Sequence, residues 1–352
     1  MKLFQRLCDE RYEQVVFCHD GASGLRSIIA IHDTTLGPAL GGVRMWRYPS
    51  EEEALEDCLR LAAGMTMKAA VAGVNLGGGK SVIIGDPATD KTEALLKAHG
   101  RFIQTLGGRY IPGIDVGTDM ADLEMIATQV DVVSCVNGDP SPMTALGVVH
   151  GIRTCLEAVH GSDELGGRTV AVQGVGHVGT ALAEQLAGAG ARLILADLDD
   201  RRANAVAARL GAQVAGPDEV LSMPCDVLAP CAMSGVVDDR TVGGLRCRIV
   251  AGSANSVLGE RRHGEDLHAA GILYAPDYCI NAGGLILIEE EALGHDVGRA
   301  ERRVRGVGQI IRRVIERARR DRVSTSRAAD LMATERLQAM RNLGPPYVAA
   351  RR

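Results

Sequence analysis

Short apolar runs at residues 14–18 (QVVFC) and 25–31 (LRSIIAI) flank the polar, glycine-containing segment HDGASG. This pattern predicts a strand, a turn and a second strand. The period changes at Ser50. Ser50-Glu51-Glu52-Glu53 has the spacing of a capping box, and Ala54, Leu55, Cys58, Leu59 and Ala62 recur at helical steps behind it. Between these elements, TTLGPALGG (34–42) reads as a glycine-rich passage. After Met65, AAVAGVNLGGGKSVIIGDP reads as an apolar run, a glycine loop and a short buried strand. A helix is predicted over 91–106, a strand and loop in GGRYIPGIDVGTDM, a helix from Asp119 to about Gln129, and a short strand at 131–133. GDPSP (138–142) has the turn chemistry of a boundary.

Beyond it the alternation becomes regular. A helix from about Thr144 to Val159 precedes a strand at 169–174, a helix at 178–188, a strand at 192–197 and a helix at 201–210. Further strands are predicted near 225–230 and 248–254, and an arginine-rich helix over 296–322. Strands separated by helices of about 10–15 residues mean βαβ units and parallel sheets, so the fold class is α/β.

Composition sharpens this picture. Glycine supplies 43 of 352 residues, while the aromatics are one Trp, three Phe and six Tyr. A core of Ala, Val, Leu and Ile between many tight turns suits α/β layers better than an aromatic-rich sandwich. The net charge of −5 gives no general attraction to nucleic acid or anionic lipid. Nine cysteines include no C-x-x-C pair, so neither a metal cluster nor a redox dithiol is expected. The segment MKLFQRLCDER carries charge too early for a secretory signal, and no long apolar run follows. The expected setting is cytoplasmic, with no membrane and no nucleic-acid partner.

Gly174-Val175-Gly176-His177-Val178-Gly179 fits G-x-G-x-x-G, with an apolar strand before it and a helical pattern after it. The first glycine permits the turn, the second lets backbone approach a pyrophosphate, and the third lets helix lie on strand. Asp197 ends the next predicted strand, where a carboxylate holds the ribose hydroxyls of NAD and repels a 2′-phosphate. Arg201 and Arg202 pull toward NADP; Asp197 favours NAD as cofactor. Gly79-Lys80-Ser81 is not a P-loop, because the required earlier glycine is displaced by one residue and a strand follows.

Lys68 (in MTMKAAVAG) and Lys80 (in LGGGKSVII) lie in apolar, glycine-rich sequence. Lysine is seldom interior without a partner, and burial beside another cation turns it into a usable base. Asp115, between Gly113 and Gly117, is the accompanying carboxylate.

The segments GPALGGVRMW, EDCLRLAAGMTMKAA, NLGGGKSVIIGDP, GRYIPGIDVGTDM, VAVQGVGHVG, APCA and ILYAPDYCINAGG, in this order, strongly resemble the glutamate/leucine/valine/phenylalanine dehydrogenase family, from about residue 3 to about 340. The leucine and phenylalanine branches are most alike. The resemblance implies an N-terminal α/β catalytic and oligomerisation domain (1–134 plus about 325–352) and a Rossmann NAD-binding domain (135–324) flanking a cleft. It implies reversible NAD-dependent oxidative deamination of an L-amino acid to a 2-oxo acid and ammonia, in a homo-oligomer between dimer and octamer. By the same resemblance, Lys80 is the base, Asp115 shuttles protons and Lys68 binds the substrate carboxylate, which Gly42 lets approach. Ser141, Thr144, Ala232 and Asn255 line the nicotinamide side, with Gly174, Val175, Gly176, Gly179 and Asp197 on the rest of the cofactor.

Leu40 stands where the glutamate branch resembles a lysine, so an apolar substrate side chain is expected, lined by Leu40, Met65, Gly113, Leu285 and Ile288. Gly113 and Leu285 resemble the phenylalanine branch, and the missing methyl at 113 is read as added room for a bulky side chain. Asn255 is shared with the substrate and cofactor sites, whereas Ser256 stands in place of a second asparagine. Met67 and Ala69 replace a Tyr and an Asn beside the substrate lysine, and the stretch between Val133 and Pro140 is about six residues shorter than in the leucine branch. These departures leave two alternatives open: a catalytically silent NAD-binding paralogue with a regulatory role, or a dehydrogenase specialised for an unusual amino acid in secondary metabolism. The ten arginines between Arg299 and Arg322 read as the solvated face of an amphipathic helix over Val304, Val307, Ile311, Val314 and Ala318.

Overall fold

The structure, a computed structural model, describes residues 3–134, 138–232 and 234–344. The chain forms two compact units, residues 1–138 with 333–352, and residues 139–332.

The first unit contains α1 (Leu3–Glu10), β1 (Gln14–Asp20), β2 (Leu25–Asp33), β3 (Ala39–Trp46), α2 (Glu51–Ala72), β4 (Gly77–Ile84), α3 (Glu93–Gln104), β5 (Tyr110–Ile114) and α4 (Met120–Ala127). Its sheet runs β1-β2-β4-β3-β5. The order is mixed rather than wholly parallel: β1 pairs antiparallel with β2 and β2 with β4, while β3 is parallel to β4 and β5. Alternate residues of the strands feed opposite faces. Ile28, Ala30 and Val82 meet Ala54, Leu55, Cys58, Leu59 and Ala62 of α2 on one face. Ile29, Ile31, Val43, Met45 and Ile83 meet Leu95, Leu96, Ala98 and Ile103 of α3 on the other.

The glycine-rich passages are strands, contrary to the sequence reading. A Cβ at Gly78 would fall 2.2 Å from the backbone nitrogen of Thr66, so the glycines of β4 are what lets α2 lie directly on the sheet. Ser50 caps α2 by accepting from the Glu53 amide at 3.1 Å, a contact typically worth about 1 kcal/mol. Residues 131–133 form no strand. Instead Gln104 of α3 bonds both the amide and the carboxylate of Asp131.

The second unit begins with α5 (Ser141–His160), which carries Pro142 in its first turn. It continues through β6 (Thr169–Gln173), α6 (His177–Gly188), β7 (Arg192–Ala196), α7 (Asp200–Leu210), β8 (Gln213–Val214), β9 (Val227–Pro230), β10 (Ile249–Val250), α8 (His263–Ala269), β11 (Leu273–Tyr274), α9 (Asp277–Ile280) and α10 (Gly283–Ala292). Its sheet is β11-β10-β9-β6-β7-β8, every neighbouring pair parallel. Numbered within the unit, this is the doubly wound order whose switch point falls between its first and fourth strands, here β6 and β9.

The arginine-rich segment is two helices, α11 (Val297–Arg305) and α12 (Val307–Asp321), separated at Gly306. Val304, Val307, Ile311, Val314 and Ala318 are buried beneath them. The last helix, α13 (Thr325–Arg341), begins in the second unit and continues into the first. There Arg336 donates to the carbonyls of Ala69, Ala70 and Val74 at 3.0 Å, closing the C-terminal end of α2. Among the described residues no helix is long and apolar enough to cross a membrane, and no cluster of ligating side chains could hold a metal. Eight cysteines are free thiols; Cys135 lies outside the described residues, as does most of the shortened stretch before Asp139.

Candidate functional site

Lys80 lies at the centre of β4 with only 6% of its surface exposed. Its ammonium donates to Asp115 Oδ2. Asp115 directly follows the C-terminal end of β5, the edge where parallel strands present ligands. Its loop is fixed: the Asp115 amide donates to Thr118 Oγ1 at 3.0 Å, and that hydroxyl donates to Val43 O at 2.7 Å. Gly42 pairs with Gly113 across β3 and β5. A Cβ on Gly42 would lie 2.7 Å from Asp115 Cβ and 3.2 Å from Lys80 Nζ, so the space above the pair exists because this residue has no side chain.

The strands under the pair are held by polar contacts. Tyr110 donates to Gly41 O at 2.7 Å and reaches Ser81 Oγ at 3.2 Å. Ser81 also meets His99, whose other ring nitrogen meets Ser27, each at 3.0 Å. Burial pushes the His99 pKa down to about 3, so this histidine is a neutral structural bridge.

Burial also acts on Lys80. Withdrawal from water, followed by the positive charges of Arg44 and Lys68, drives its pKa from 10.5 down to about 7. A lysine in that range exchanges its proton near neutrality, as a general base must. Lys68 and Met65 lie further along α2, both half-buried. Leu40, 3% exposed, lies in β3.

Gly113 behaves differently from the sequence reading. A Cβ there would meet Ser134 Oγ at 2.5 Å, so the place of the missing methyl is taken by a serine hydroxyl and is not empty volume. Ser134 is buried and donates to Pro112 O at 3.0 Å. Sequence reasoning missed it because a single serine after a short apolar run carries no signal of what it will face. Arg44 and Asp57 were missed as well; their signal was charge in an otherwise apolar strand and in the helix that covers it.

In the second unit, Gly174 follows β6 with φ +96° and lies against Ala232, which follows β9. The motif and Ala232 therefore meet at the switch point. Gly179 packs so closely that a Cβ would overlap Gly174 O, at 1.9 Å. At Gly176, in contrast, a Cβ would meet nothing within 4 Å, and α6 begins there with no side-chain cap. Open backbone before an uncapped helix N-terminus is what a pyrophosphate requires. Asp197 accepts from the Val175 amide at 2.8 Å and the Asp199 amide at 2.9 Å, which ties the acidic residue to the glycine turn. Arg202 stands 3.6 Å from it. These residues fit a dinucleotide.

Thr144 and Ser141 lie in the first turn of α5, with Ser141 donating its amide to Asp139 at 2.9 Å. Gly283 and Gly284 seat α10 on that turn, and so bring the helix bearing Leu285 and Ile288 beside Thr144. Asn255 accepts from Asn281 at 2.8 Å, and the buried Asn281 Oδ1 has no partner. Asn281 lies in the ILYAPDYCINAGG segment, where its amide gives no sequence signal of this contact. Lys68, Lys80, Asp115, Leu40, Gly42, Met65 and Gly113 thus belong to the first unit, and the remaining assigned residues to the second. A groove of about 620 Å³ walled in part by Arg153, Arg305 and Arg312 contains none of the assigned residues, and its guanidiniums are paired with Asp163, Glu301 and Glu157.

Comparison with known proteins gives consistent matches. Residues 12–132 match the family described as Glu/Leu/Phe/Val dehydrogenase, dimerisation domain, and residues 195–344 match Glutamate/Leucine/Phenylalanine/Valine dehydrogenase. The chain is 49% identical to the leucine dehydrogenase of Geobacillus stearothermophilus, covering 99% of this chain and 96% of that one. It is 40% identical to the phenylalanine dehydrogenase of Lysinibacillus sphaericus, covering 99% and 94%. Among solved structures, L-tryptophan dehydrogenase from Nostoc punctiforme superposes with a TM-score of 0.85 at 41% identity, over 97% of this chain and 99% of that one.

Proposed function

Since the chain belongs to the glutamate/leucine/phenylalanine/valine dehydrogenase family and is an amino acid dehydrogenase, we propose that it catalyses the reversible, NAD-dependent oxidative deamination of an apolar L-amino acid, branched-chain or aromatic, to its 2-oxo acid and ammonia. The observation that carries this reading is the ion pair of buried Lys80 with half-buried Asp115 beneath the side-chain-free Gly42.

A bound NAD would supply the hydride acceptor for oxidation at the substrate α-carbon. The chain's own residues do the rest. Lys68 holds the substrate carboxylate, and Gly42 leaves room for it. Lys80, neutral above about pH 7, takes a proton from the water that attacks the iminium carbon. Asp115, bonded to Lys80, carries protons to and from the nitrogen as the carbinolamine forms and expels ammonia. Gly174, Gly176 and Gly179 with the α6 N-terminus would hold the pyrophosphate, Asp197 the ribose, and Ser141, Thr144, Ala232 and Asn255 the nicotinamide end. An apolar side chain is favoured because Leu40 is buried and uncharged; a substrate carboxylate placed against it would lack a partner. The names of the relatives, which span leucine, phenylalanine and tryptophan, support the same class. A homo-oligomer assembled through the first unit is part of the proposal, supported by the description of the family that matches residues 12–132.

The test is NADH formation with leucine, valine, phenylalanine, tryptophan and glutamate in turn, NADP in parallel. Turnover of apolar substrates and little with glutamate is expected. Folded protein that binds NADH and turns over none of them would sink the proposal and favour a silent paralogue. Lys80→Ala should abolish turnover while retaining NADH binding.

A further inference from the structure

The Lys80–Asp115 pair is one end of a longer line of charge. Lys80 donates to Asp115 Oδ2, the Val116 amide donates to Oδ1 at 2.6 Å, and Arg44 Nη2 stands 3.4 Å from the same oxygen. Arg44 is two residues beyond Gly42 on β3, and its other terminal nitrogen donates to Asp57 Oδ2 at 2.8 Å. Asp57, on α2, is anchored by the Tyr48 hydroxyl at 2.7 Å and by Arg60 at 2.6 Å. The sequence of charges is therefore Asp57 negative, Arg44 positive, Asp115 negative, Lys80 positive. Arg44 and Asp57 have side chains only 21% and 17% exposed, which limits screening by solvent. Arg44 Nε is buried with no hydrogen-bond partner, and the guanidinium meets Asp57 and Asp115 through its two terminal nitrogens.

We propose that Arg44 is a positioning residue of the reaction: anchored by Asp57, it holds the Asp115 carboxylate against Lys80 and supplies the positive charge that keeps the Lys80 amine available as a base at neutral pH. This rests on Lys80 being the base.

The groups facing Lys80 are Arg44 from β3, Asp57, Cys58 and Lys68 from α2, and Asp115 beyond β5. Burial pushes the Cys58 thiol up to about 12, so it stays neutral. Arg44 and Lys68 oppose the ammonium; Asp57 and Asp115 favour it. Arg44→Gln removes an opposing charge, so Lys80 keeps its proton to higher pH and the acidic limb of kcat/KM for deamination moves up. Asp57→Asn removes a favouring charge and moves that limb down. Arg44→Lys keeps the charge and leaves the limb near its parental position. Removing one nearby unit charge shifts a buried titrating group by about 1–2 pH units.

The experiment measures kcat/KM for deamination, from about pH 6 to about pH 11, in the parent and these three variants. The substrate is whichever of leucine, phenylalanine and tryptophan turns over fastest. Circular dichroism and NADH-fluorescence titration verify the folded state, and Lys80→Ala is the control. Opposite shifts in Arg44→Gln and Asp57→Asn, with Arg44→Lys close to the parent, are expected. Equal losses at every pH with no shift, shifts of the same sign, or Arg44→Lys behaving as Arg44→Gln would overturn the proposal. Should Arg44→Gln not fold, Asp57→Asn decides: a downward shift supports the proposal, and an unmoved or raised limb overturns it. Parental turnover in Lys80→Ala overturns the base assignment itself, whereas an inactive Lys80→Ala with unmoved limbs in the other variants overturns only the role of Arg44.

Discussion

Adding one methyl at Gly113 tests how the first unit fills the space beside β5. An alanine Cβ would lie 2.5 Å from Ser134 Oγ, where ordinary contact begins at 3.4 Å, and its next neighbour is Ser134 Cβ at 3.8 Å. The hydroxyl is therefore the sole close obstacle, and it must retreat by about 0.9 Å. It donates to Pro112 O at 3.0 Å in a residue only 4% exposed. Leaving that bond costs about 0.5–1.5 kcal/mol. Leaving its rotamer well costs about as much, roughly 0.5–1.5 kcal/mol. Gly113→Ala should then destabilise by about 1–3 kcal/mol, and Ser134→Ala by about 1 kcal/mol. With the hydroxyl gone, the new methyl has room, so Gly113→Ala/Ser134→Ala should sit close to Ser134→Ala alone and not at the sum of the single changes. Thermal unfolding followed by circular dichroism resolves this, since each kcal/mol moves the midpoint by about 2–4 °C in a unit of this size. Additive losses in the double variant would refute the steric reasoning, and a Gly113→Ala protein as stable as the parent would refute the overlap itself.

Three further outcomes follow from the same geometry. The folded-state pKa of Lys80, lowered to about 7 from 10.5, means that the native protein binds fewer protons than the unfolded chain between those values. The cost of burying the charge is complete below about pH 7 and fades as pH rises toward 10.5, so the urea midpoint of the parent should gain on that of Lys80→Met across this window; a constant gap contradicts the assignment. Asp197→Ser removes the acceptor of the Val175 amide and leaves Arg201 and Arg202 in place, so NADH should bind at least about tenfold more weakly and the NADPH-to-NADH affinity ratio should rise, which fluorescence titration reads directly. Ser256 has φ +52°, a left-handed conformation that asparagine tolerates better than serine, so Ser256→Asn should raise the unfolding midpoint by about 1–2 °C; a lower midpoint would show that the serine side chain contributes more than the backbone costs.

The elements legible in the sequence were those whose own residues carry a strong pattern. Helix α2 announces itself by Ser50 and its apolar stripe, and the second unit by strands and helices in regular alternation about one glycine motif. What escaped depends on partners remote in the chain. Glycine-rich β3 and β4 have poor strand propensity, yet each is a central strand with a neighbour on both sides, and ladder bonding together with the close approach of α2 outweighs propensity. Residues 131–133 have the composition of a strand but no sheet edge to join, and Gln104 holds Asp131 instead. The arginine-rich segment keeps its buried stripe on both sides of Gly306, so periodicity alone did not show the break. At the site, Lys80 and Asp115 were visible as charges out of place among apolar residues. Arg44 and Asp57 carry the same kind of signal but escaped with Ser134, because their meaning lies in what stands opposite them, and that is decided only when β3, β5 and α2 are packed together.

The guanidinium of Arg336 has a consequence for the order of events during synthesis. It closes the end of α2 across a separation of 267 residues, and Arg341 reaches Asp33 across 308. Helix α2 and the strand that carries Lys80 are translated early, but the carbonyls of Ala69, Ala70 and Val74 gain this partner only after the ribosome has read through the whole second unit. The second unit is contiguous and is free to form as it emerges, whereas the first unit, which contains Lys80, is completed last. A nascent or prematurely terminated chain that lacks Arg336 therefore holds an α2 whose last carbonyls are still without this partner.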